Sequence, residues 1–363
     1  MPAIFRRIFL YGNVLVAAGL VASAWLPVIN PSFFWPAGFA GFAFPLLWVL
    51  SLIFIPVWLI ARKKYWLISI VALLLSVRGV AVSWGFNLFS TGKAASKGSF
   101  TVMSFNSSSM GLQAYTESPE VRGRIYNILE TARPDVLCIQ EFYTNDHPDK
   151  VPHLQNILSK GDYPYYFFAK HKIHWNTWYY GTVIFSRFPI VDTARITFNG
   201  GYLGNEDLIR VRLLIQGDTV QLLTAHLSSH KLNGHDYEAV GRPNGGKIRS
   251  VMGKMRRSFA NRVHQAQIMA AEIDRCKYPL IVTGDFNAIP LSYVYRTIRG
   301  DRLQDAFLEK GSGFGRTFSA ISPTLRIDYV LAGKTFAVED FSIYRKKGLE
   351  HFPVMARLRL QRD

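Results

Sequence analysis

Residues 1–98 contain neither aspartate nor glutamate. All 25 carboxylate side chains therefore lie in 99–363, and any chemistry that needs one belongs there. The first 98 residues carry only eight basic side chains: Arg6, Arg7, Arg62, Lys63, Lys64, Arg78, Lys93 and Lys97. The remainder holds 34 basic residues against 25 acidic, a net +9, so the chain's +17 combines a membrane-topology signal with a moderately basic domain. A basic domain favours anionic partners such as nucleic acid, phosphates or an anionic bilayer face, without choosing among them. Cysteine is almost missing. Cys138, in an apolar strand pattern, and Cys276, at a helix end, read as two unpaired and largely buried thiols, and they say little about the redox compartment.

Charge is scarce in three long apolar stretches, about 8–29, 39–60 and 65–89, and the first two have none. Each is long enough to cross a hydrocarbon core, which takes about 20 helical residues. Trp25, Trp35, Trp58, Trp66 and Trp84 fall near the expected interfaces. Arg6-Arg7 precede the first stretch and Arg62-Lys63-Lys64 separate the second from the third, while the loop from Asn30 to Gly38 is uncharged. The positive-inside rule then makes the N-terminus and the 62–64 loop cytoplasmic and puts the chain after about residue 90 outside. A signal peptide cut after Ala22-Ser23-Ala24 is the competing reading, and it also leaves the large domain outside. Lys93 and Lys97 argue weakly against that side. Arg78 interrupts the third stretch, and it either snorkels to the outer headgroups or contacts another span or a lipid phosphate. The expected organisation is three transmembrane helices in 1–90, a polar linker in 91–99 and a soluble domain in 100–363, in the inner or plasma membrane with the domain on the periplasmic or extracytoplasmic side.

The soluble domain is organised around PLIVTGDFNAIP, Pro279 to Pro290. Leu280–Val282 reads as a buried strand. Asp285 and Asn287 follow it, two residues apart, a spacing that in extended chain puts both heads on one side. A proton or metal acceptor thus sits beside a neutral donor, a combination suited to phosphoester hydrolysis, whose transition state is mostly positioned and neutralised. The plainer reading is a strand-end turn. Other strands repeat the pattern. Phe100–Phe105 ends at Asn106, Asp135–Gln140 ends at Glu141 and Thr219–Ala225 ends at His226. Leu208–Ile215 and Thr219–Ala225 form an expected hairpin, and Pro119 to Arg133 an expected helix with Ser118 as N-cap. Asp328, inside the expected strand 326–331, needs a partner. Glu350 and His351 precede a last strand, Met355–Leu360. The aromatic-rich segment Tyr163 to Tyr180 is a substrate-facing loop or packing between sheets. The basic insertion 228–262 is a solvated loop, or an anion-gathering lid or headgroup contact with Arg256 and Arg257 as candidate substrate contacts; it becomes helical toward 259–275.

The ordered motifs MSFN, LCIQE, GTVIFSRFPI, TAHL, VTGDFNAIP, RIDYVL and EHFPV resemble the endonuclease/exonuclease/phosphatase superfamily, which includes deoxyribonucleases and neutral sphingomyelinases. The resemblance covers essentially all of 99–363 and none of the apolar segment. It implies a four-layer α/β sandwich, two packed mixed sheets flanked by helices, here preceded by a transmembrane helical segment. It also implies a divalent cation, Mg²⁺ or alternatively Mn²⁺. By motif, Glu141 is the principal metal ligand and Asn106 supports metal and phosphate. Asp285 activates water, Asn287 and His226 bind phosphoryl oxygens, and His351 neutralises developing charge with Asp328 holding its ring. Glu350 stands where the family usually has Asp, which makes it a weaker metal candidate. The implied protein is a membrane-anchored Mg²⁺-dependent hydrolase of phosphoester bonds in lipid headgroups, phospholipid or sphingolipid, or in nucleic acid. The alternative is a catalytically silent anchored module that binds a phosphorylated ligand. No obligate protein partner is inferred.

Overall fold

The computed structural model describes residues 3–87, 95–113, 116–198, 207–229, 245–319 and 322–361. The start of the expected linker (91–94) and residues 230–244 of the basic insertion lie outside the described residues. Two compact units result, and they do not follow chain order. One gathers Met1–Trp84, His230–Val263 and Ile289–Arg296, and the other Gly85–Ser229, His264–Ala288 and Thr297–Asp363.

The first unit is helical: α1 (Ala3–Trp25), α2 (Ala37–Ile60), α3 (Trp66–Leu75) and α4 (Val77–Ser83). Two helices, Ile4–Val28 and Ala37–Ile60, are long and apolar enough to cross a membrane. The third expected stretch is broken. α3 and α4 meet at a 52° bend and count as a third span only if taken together. At the break the Ser76 amide closes a tight turn onto the Leu73 carbonyl, and Arg78 then lies 5.4 Å from the Trp25 ring centre. That cation–π contact gives the one charge of this stretch a partner. Among these apolar helices a buried polar bridge acts as glue: Asn13 Nδ2 donates to the Tyr65 carbonyl at 3.1 Å and Ser69 Oγ donates to Asn13 Oδ1 at 2.8 Å.

The second unit holds two six-stranded sheets. Sheet one contains β1 (Ser99–Asn106), β2 (Val136–Asn145), β3 (Tyr165–His174) and β4 (Trp178–Ser186). Sheet two contains β5 (Ile190–Thr197), β6 (Asp207–Ile215), β7 (Asp218–His226), β8 (Leu280–Asp285), β9 (Leu303–Asp305) and β10 (Asp328–Gly333). The last strands, β11 (Phe336–Ile343) and β12 (Val354–Leu360), return to sheet one. The orders are β11-β12-β1-β2-β4-β3 and β9-β10-β8-β7-β6-β5. Each sheet has one parallel pair at its centre, β1–β2 and β7–β8, with every other pairing antiparallel.

Side-chain alternation decides the layers. Along β2, Val136 and Cys138 face the core shared with sheet two, beside Leu222, Ile281 and Val330. Leu137 and Ile139 face the opposite way, onto Ile125 of α5 (Pro119–Ala132) and Ile157 of α6 (His153–Gly161). Burial on both faces explains why these strands read as unbroken apolar runs. α5 starts as its sequence predicts, with Ser118 Oγ accepting the Val121 amide. α7 (Gly245–Arg275) begins fourteen residues before the expected Phe259, because the run from Lys247 is rich in Lys, Arg and Met, all good helix formers. It enters the second unit at His264, where Ala266, Met269 and Ile273 are buried. Helices thus flank both sheets, as a four-layer sandwich requires.

Three expectations change. The segment 163–180 is the β3–β4 hairpin at the edge of sheet one rather than a loop, with Trp175 exposed at its tip, while Phe167 and Ala169 of β3 pack into the core between the sheets. β2 does not end at Glu141 but runs to Asn145 through a bulge at Gln140–Glu141. The last expected strand of the site, 326–331, starts only at Asp328, because Arg326 is turned away into a buried ion pair with Asp305.

Candidate active site

The two parallel pairs deliver their C-terminal ends to one place, as ligand-binding ends do in open α/β sheets. Asn106 stands opposite Gln140, and His226 opposite Asp285. Gly284 makes the second pairing close. Its φ is +141° and a Cβ there would collide with the Ala225 carbonyl, so only glycine lets β8 lie against β7 at this point.

Asp285 is fully buried at the centre. Its Oδ2 accepts from Asn106 Nδ2 at 3.0 Å and faces His226 Nε2 and His351 Nδ1, each at 3.7 Å. Its Oδ1 accepts the Asn287 amide at 2.8 Å. Asp285 and Asn287 are brought together by this turn and not by strand alternation, since Asn287 has φ +48° and lies past the strand's end. Asn287 Nδ2 donates to the Leu227 carbonyl at 2.9 Å.

Glu141 is aimed by its bulge, where it adopts φ +50°. Bulges re-aim side chains in this way beside active sites. Its Oε1 accepts from Asn106 Nδ2 at 3.0 Å and lies 3.6 Å from His226 Nε2. One amide nitrogen thus bridges two carboxylates, while Asn106 Oδ1 accepts the Ser108 amide at 3.0 Å. Ser107 Oγ holds the bulge by donating to the Glu141 carbonyl at 2.9 Å. Beneath them Gln140 Nε2 donates to Thr224 Oγ1 at 3.0 Å, tying the two sheets together.

His351 and Asp328 form a buried pair, with Nδ1 at 3.1 and 3.2 Å from the two carboxylate oxygens. Burial pulls the imidazole toward neutrality. Asp328 and Asp285, with Glu141 farther off, outweigh it and hold His351 at about 10. The pair therefore carries its shared proton on the ring at neutral pH. Thr317 Oγ1 accepts the amides of Ile327 and Asp328, and the Phe318 ring packs on His351 at 4.9 Å between centroids. Farther along the hairpin, burial pulls His171 down to about 4 against the opposing pull of Asp207, 3.8 Å away, so this ring is neutral.

Seven sequence candidates are thus gathered: Asn106, Glu141, His226, Asp285, Asn287, Asp328 and His351. Glu350 is exposed and engages through its backbone, where its carbonyl accepts the Ser319 amide at 2.8 Å. Arg256 and Arg257 are exposed on α7, in the helical unit. Ser107, Gln140, Thr317 and Phe318 support the site without being among the candidates that the sequence offers. Only Gln140, a polar residue inside an apolar strand, carried a signal there. As for a metal, Asp285, Asp328 and His351 each offer a ligand atom within 4.8 Å of the others, and Glu141 offers a partly exposed carboxylate. A set dominated by carboxylate oxygens suits a hard divalent cation.

The solved structures similar to the chain share this fold. An endonuclease/exonuclease/phosphatase from Beutenbergia cavernae aligns at 20% identity and TM-score 0.51, over 73% of this chain and 72% of that one. The human Nocturnin catalytic domain with bound sulfate anion aligns at 21% identity and TM-score 0.52, over 72% and 94%. A humanized D. rerio TDP2 aligns at 16% and 0.50, over 72% and 99%. No curated protein matches the sequence. The profile of a domain of unknown function matches residues 6–82. The profile of the Endonuclease/Exonuclease/phosphatase family matches residues 103–349, and the chain belongs to that family.

Proposed function

We propose that the protein is a membrane-anchored, Mg²⁺-dependent phosphoester hydrolase with its site in residues 100–363. The observation that carries this reading is the Asn106 amide, which holds the Glu141 and Asp285 carboxylates together at 3.0 Å each, beside His226 and the His351–Asp328 pair. A silent binding module has no need of two carboxylates kept this close, because they repel the anion it would hold.

Glu141 and Asp285 are the residues that would hold and face the cation. When bound, Mg²⁺ polarises the phosphoryl group and lowers the pKa of a coordinated water. Asp285 accepts the proton of the attacking water oxygen as it bonds to phosphorus. The Asn287 amide and His226 hold non-bridging oxygens. The cationic His351 faces the charge that develops as the bond to the leaving oxygen breaks. Asp328 fixes the ring's tautomer and its charge. For the anchor, the basic pair at 6–7 and the basic triplet at 62–64 support three crossings and an outer catalytic domain.

The test is hydrolysis of bis(4-nitrophenyl) phosphate and 4-nitrophenyl phosphate by the purified full-length protein. Turnover with Mg²⁺ that is lost with chelator and in Asp285→Ala supports the proposal. Saturable binding of inorganic phosphate with no turnover by the intact protein would move the reading to the silent module.

A further inference from the structure

The chain that leaves the catalytic turn runs directly into the helical unit. Four residues after Asn287, Leu291 is buried in one apolar cluster with Ala17, Leu20 and Ala24 of α1, Phe44 of α2 and Ala72 of α3. The Leu291 carbonyl packs so closely on Gly41 of α2 that a Cβ there would collide with it, and that Cβ would lie 3.1 Å from Ile289 Cδ1. Gly41 is four residues into the apolar run Ala37–Ile60, about 6 Å from its end at 1.5 Å per residue. Four residues of extended chain reach at most about 14 Å. Chain length alone therefore keeps Asn287 within that distance of a residue packed on the end of a candidate span. The same end of α2 packs on α7, a helix that carries cations. A Cβ at Gly38 would lie 2.7 Å from the ring of Phe259 in α7, and Phe39 meets that ring edge-on at 4.9 Å. Arg256 and Arg257, three and two residues before Phe259, are exposed.

We infer that the substrate is a phosphoester in a lipid headgroup, attacked in place in the bilayer that α1 and α2 cross. The inference rests on the hydrolase reading above. The headgroup layer lies just outside the hydrocarbon core, about 5–7 Å thick on each side. A turn tethered at the end of a span meets phosphoryl groups there without extracting the lipid. A polynucleotide has no such tether to the bilayer, so its cleavage would owe nothing to the packing of Leu291 on α2. Arg256 and Arg257 attract anionic headgroups to the same end of the helix.

The test uses the full-length protein in mixed micelles with headgroup-labelled phosphatidylethanolamine, phosphatidylglycerol or sphingomyelin, one at a time. Bis(4-nitrophenyl) phosphate and a single-stranded oligonucleotide run in parallel. We expect release of a labelled headgroup fragment from one lipid, at a rate that falls as detergent dilutes the lipid within the micelle at constant bulk concentration. Gly41→Leu, which forces Leu291 off α2, is expected to lower lipid turnover at least about tenfold, since a misplacement of this order is costly. It should leave diester hydrolysis within about twofold of the parent. Gly38→Leu, which displaces Phe259, gives a second variant should Gly41→Leu not assemble. Cleavage of the diester or the oligonucleotide with headgroup release from none of the three lipids overturns this inference and leaves the hydrolase reading standing. Equal loss of both activities in both variants also overturns it. Loss of diester cleavage in the parent protein removes the hydrolase reading and this inference together.

Discussion

His351 Nδ1 faces both carboxylate oxygens of Asp328, at 3.1 and 3.2 Å, with both groups almost wholly buried. Burial opposes the charge on the ring, and the carboxylates restore it, so that His351 titrates near 10 where an ordinary histidine titrates near 6.5. The sign of the linkage follows. A folded value above the unfolded one gives stability that is complete below 6.5 and is lost as pH rises through about 10. Asp328→Asn keeps the shape and removes the charge. It is expected to move the alkaline limb of kcat/KM to lower pH and to cut activity at neutral pH by roughly 10²-fold or more. Denaturation of the chelator-treated protein should also lose less stability between those pH values in the variant than in the parent. A pH–rate profile with an unmoved alkaline limb would show that His351 does not act as the cation.

Gly284 gives a second prediction, because any side chain there meets the Ala225 carbonyl and the backbone has φ +141°. Gly284→Ala is expected to cost about 1–3 kcal/mol from the backbone alone, with a further packing cost of similar size. Since β8 must shift off β7, Asp285 shifts with it, and activity should fall more steeply than the folded fraction. Activity per folded molecule, measured beside thermal unfolding, separates the two losses.

These two sites also show what was legible in the sequence. Gly284, Asp285 and Asn287 could be read from the spacing of polar residues after an apolar run. The turn that unites them could not, since it depends on Asn287 taking a left-handed conformation. Glu141 was visible as a candidate, but its bulge was not, because a bulge is fixed by pairing with β4, far along the chain. The contact of His351 with Asp328 is implied by the family motifs but not by spacing, because it joins the start of β10 to the turn before β12. Burial on both faces made the central strands easy to find from composition. The division into units was hidden. Leu291 is one more apolar residue in sequence, and only packing places it among the helices.

Glu141 and Glu350 lead to opposite expectations. Glu141 is bound by Asn106 and faces His226, whereas Glu350 is exposed and engages through its backbone. Glu141→Gln keeps the hydrogen bond to Asn106 within reach while removing the charge a hard cation needs. It should raise the Mg²⁺ concentration for half-maximal activity at least about tenfold. Glu350→Gln should change it less than Glu141→Gln does. Activity titrated with Mg²⁺ after chelation decides the order, and a larger shift in Glu350→Gln would place the cation nearer His351.

The buried ion pair of Asp305 and Arg326, 2.6 Å apart, reaches the catalytic turn through Tyr329. The Arg326 guanidinium lies 4.4 Å from the Phe307 ring and 5.0 Å from the Tyr329 ring. Tyr329 Oη in turn donates to the Ala288 and Arg326 carbonyls at 2.7 and 2.8 Å, and its ring stacks on Phe286. Phe286 and Ala288 flank Asn287. Asp305→Ala leaves a buried guanidinium without its carboxylate, a loss of about 3–5 kcal/mol. It also removes the N-cap that accepts the Phe307 amide at 3.0 Å, worth about 1 kcal/mol more. Asp305→Asn retains a cap and should therefore lie between the parent and Asp305→Ala in chemical denaturation. Tyr329→Phe keeps the ion pair and the ring stacking and deletes only the hydroxyl bonds. If the path runs through that hydroxyl, Tyr329→Phe lowers kcat with a small change in stability, whereas loss of stability without loss of kcat would confine the pair to holding the fold.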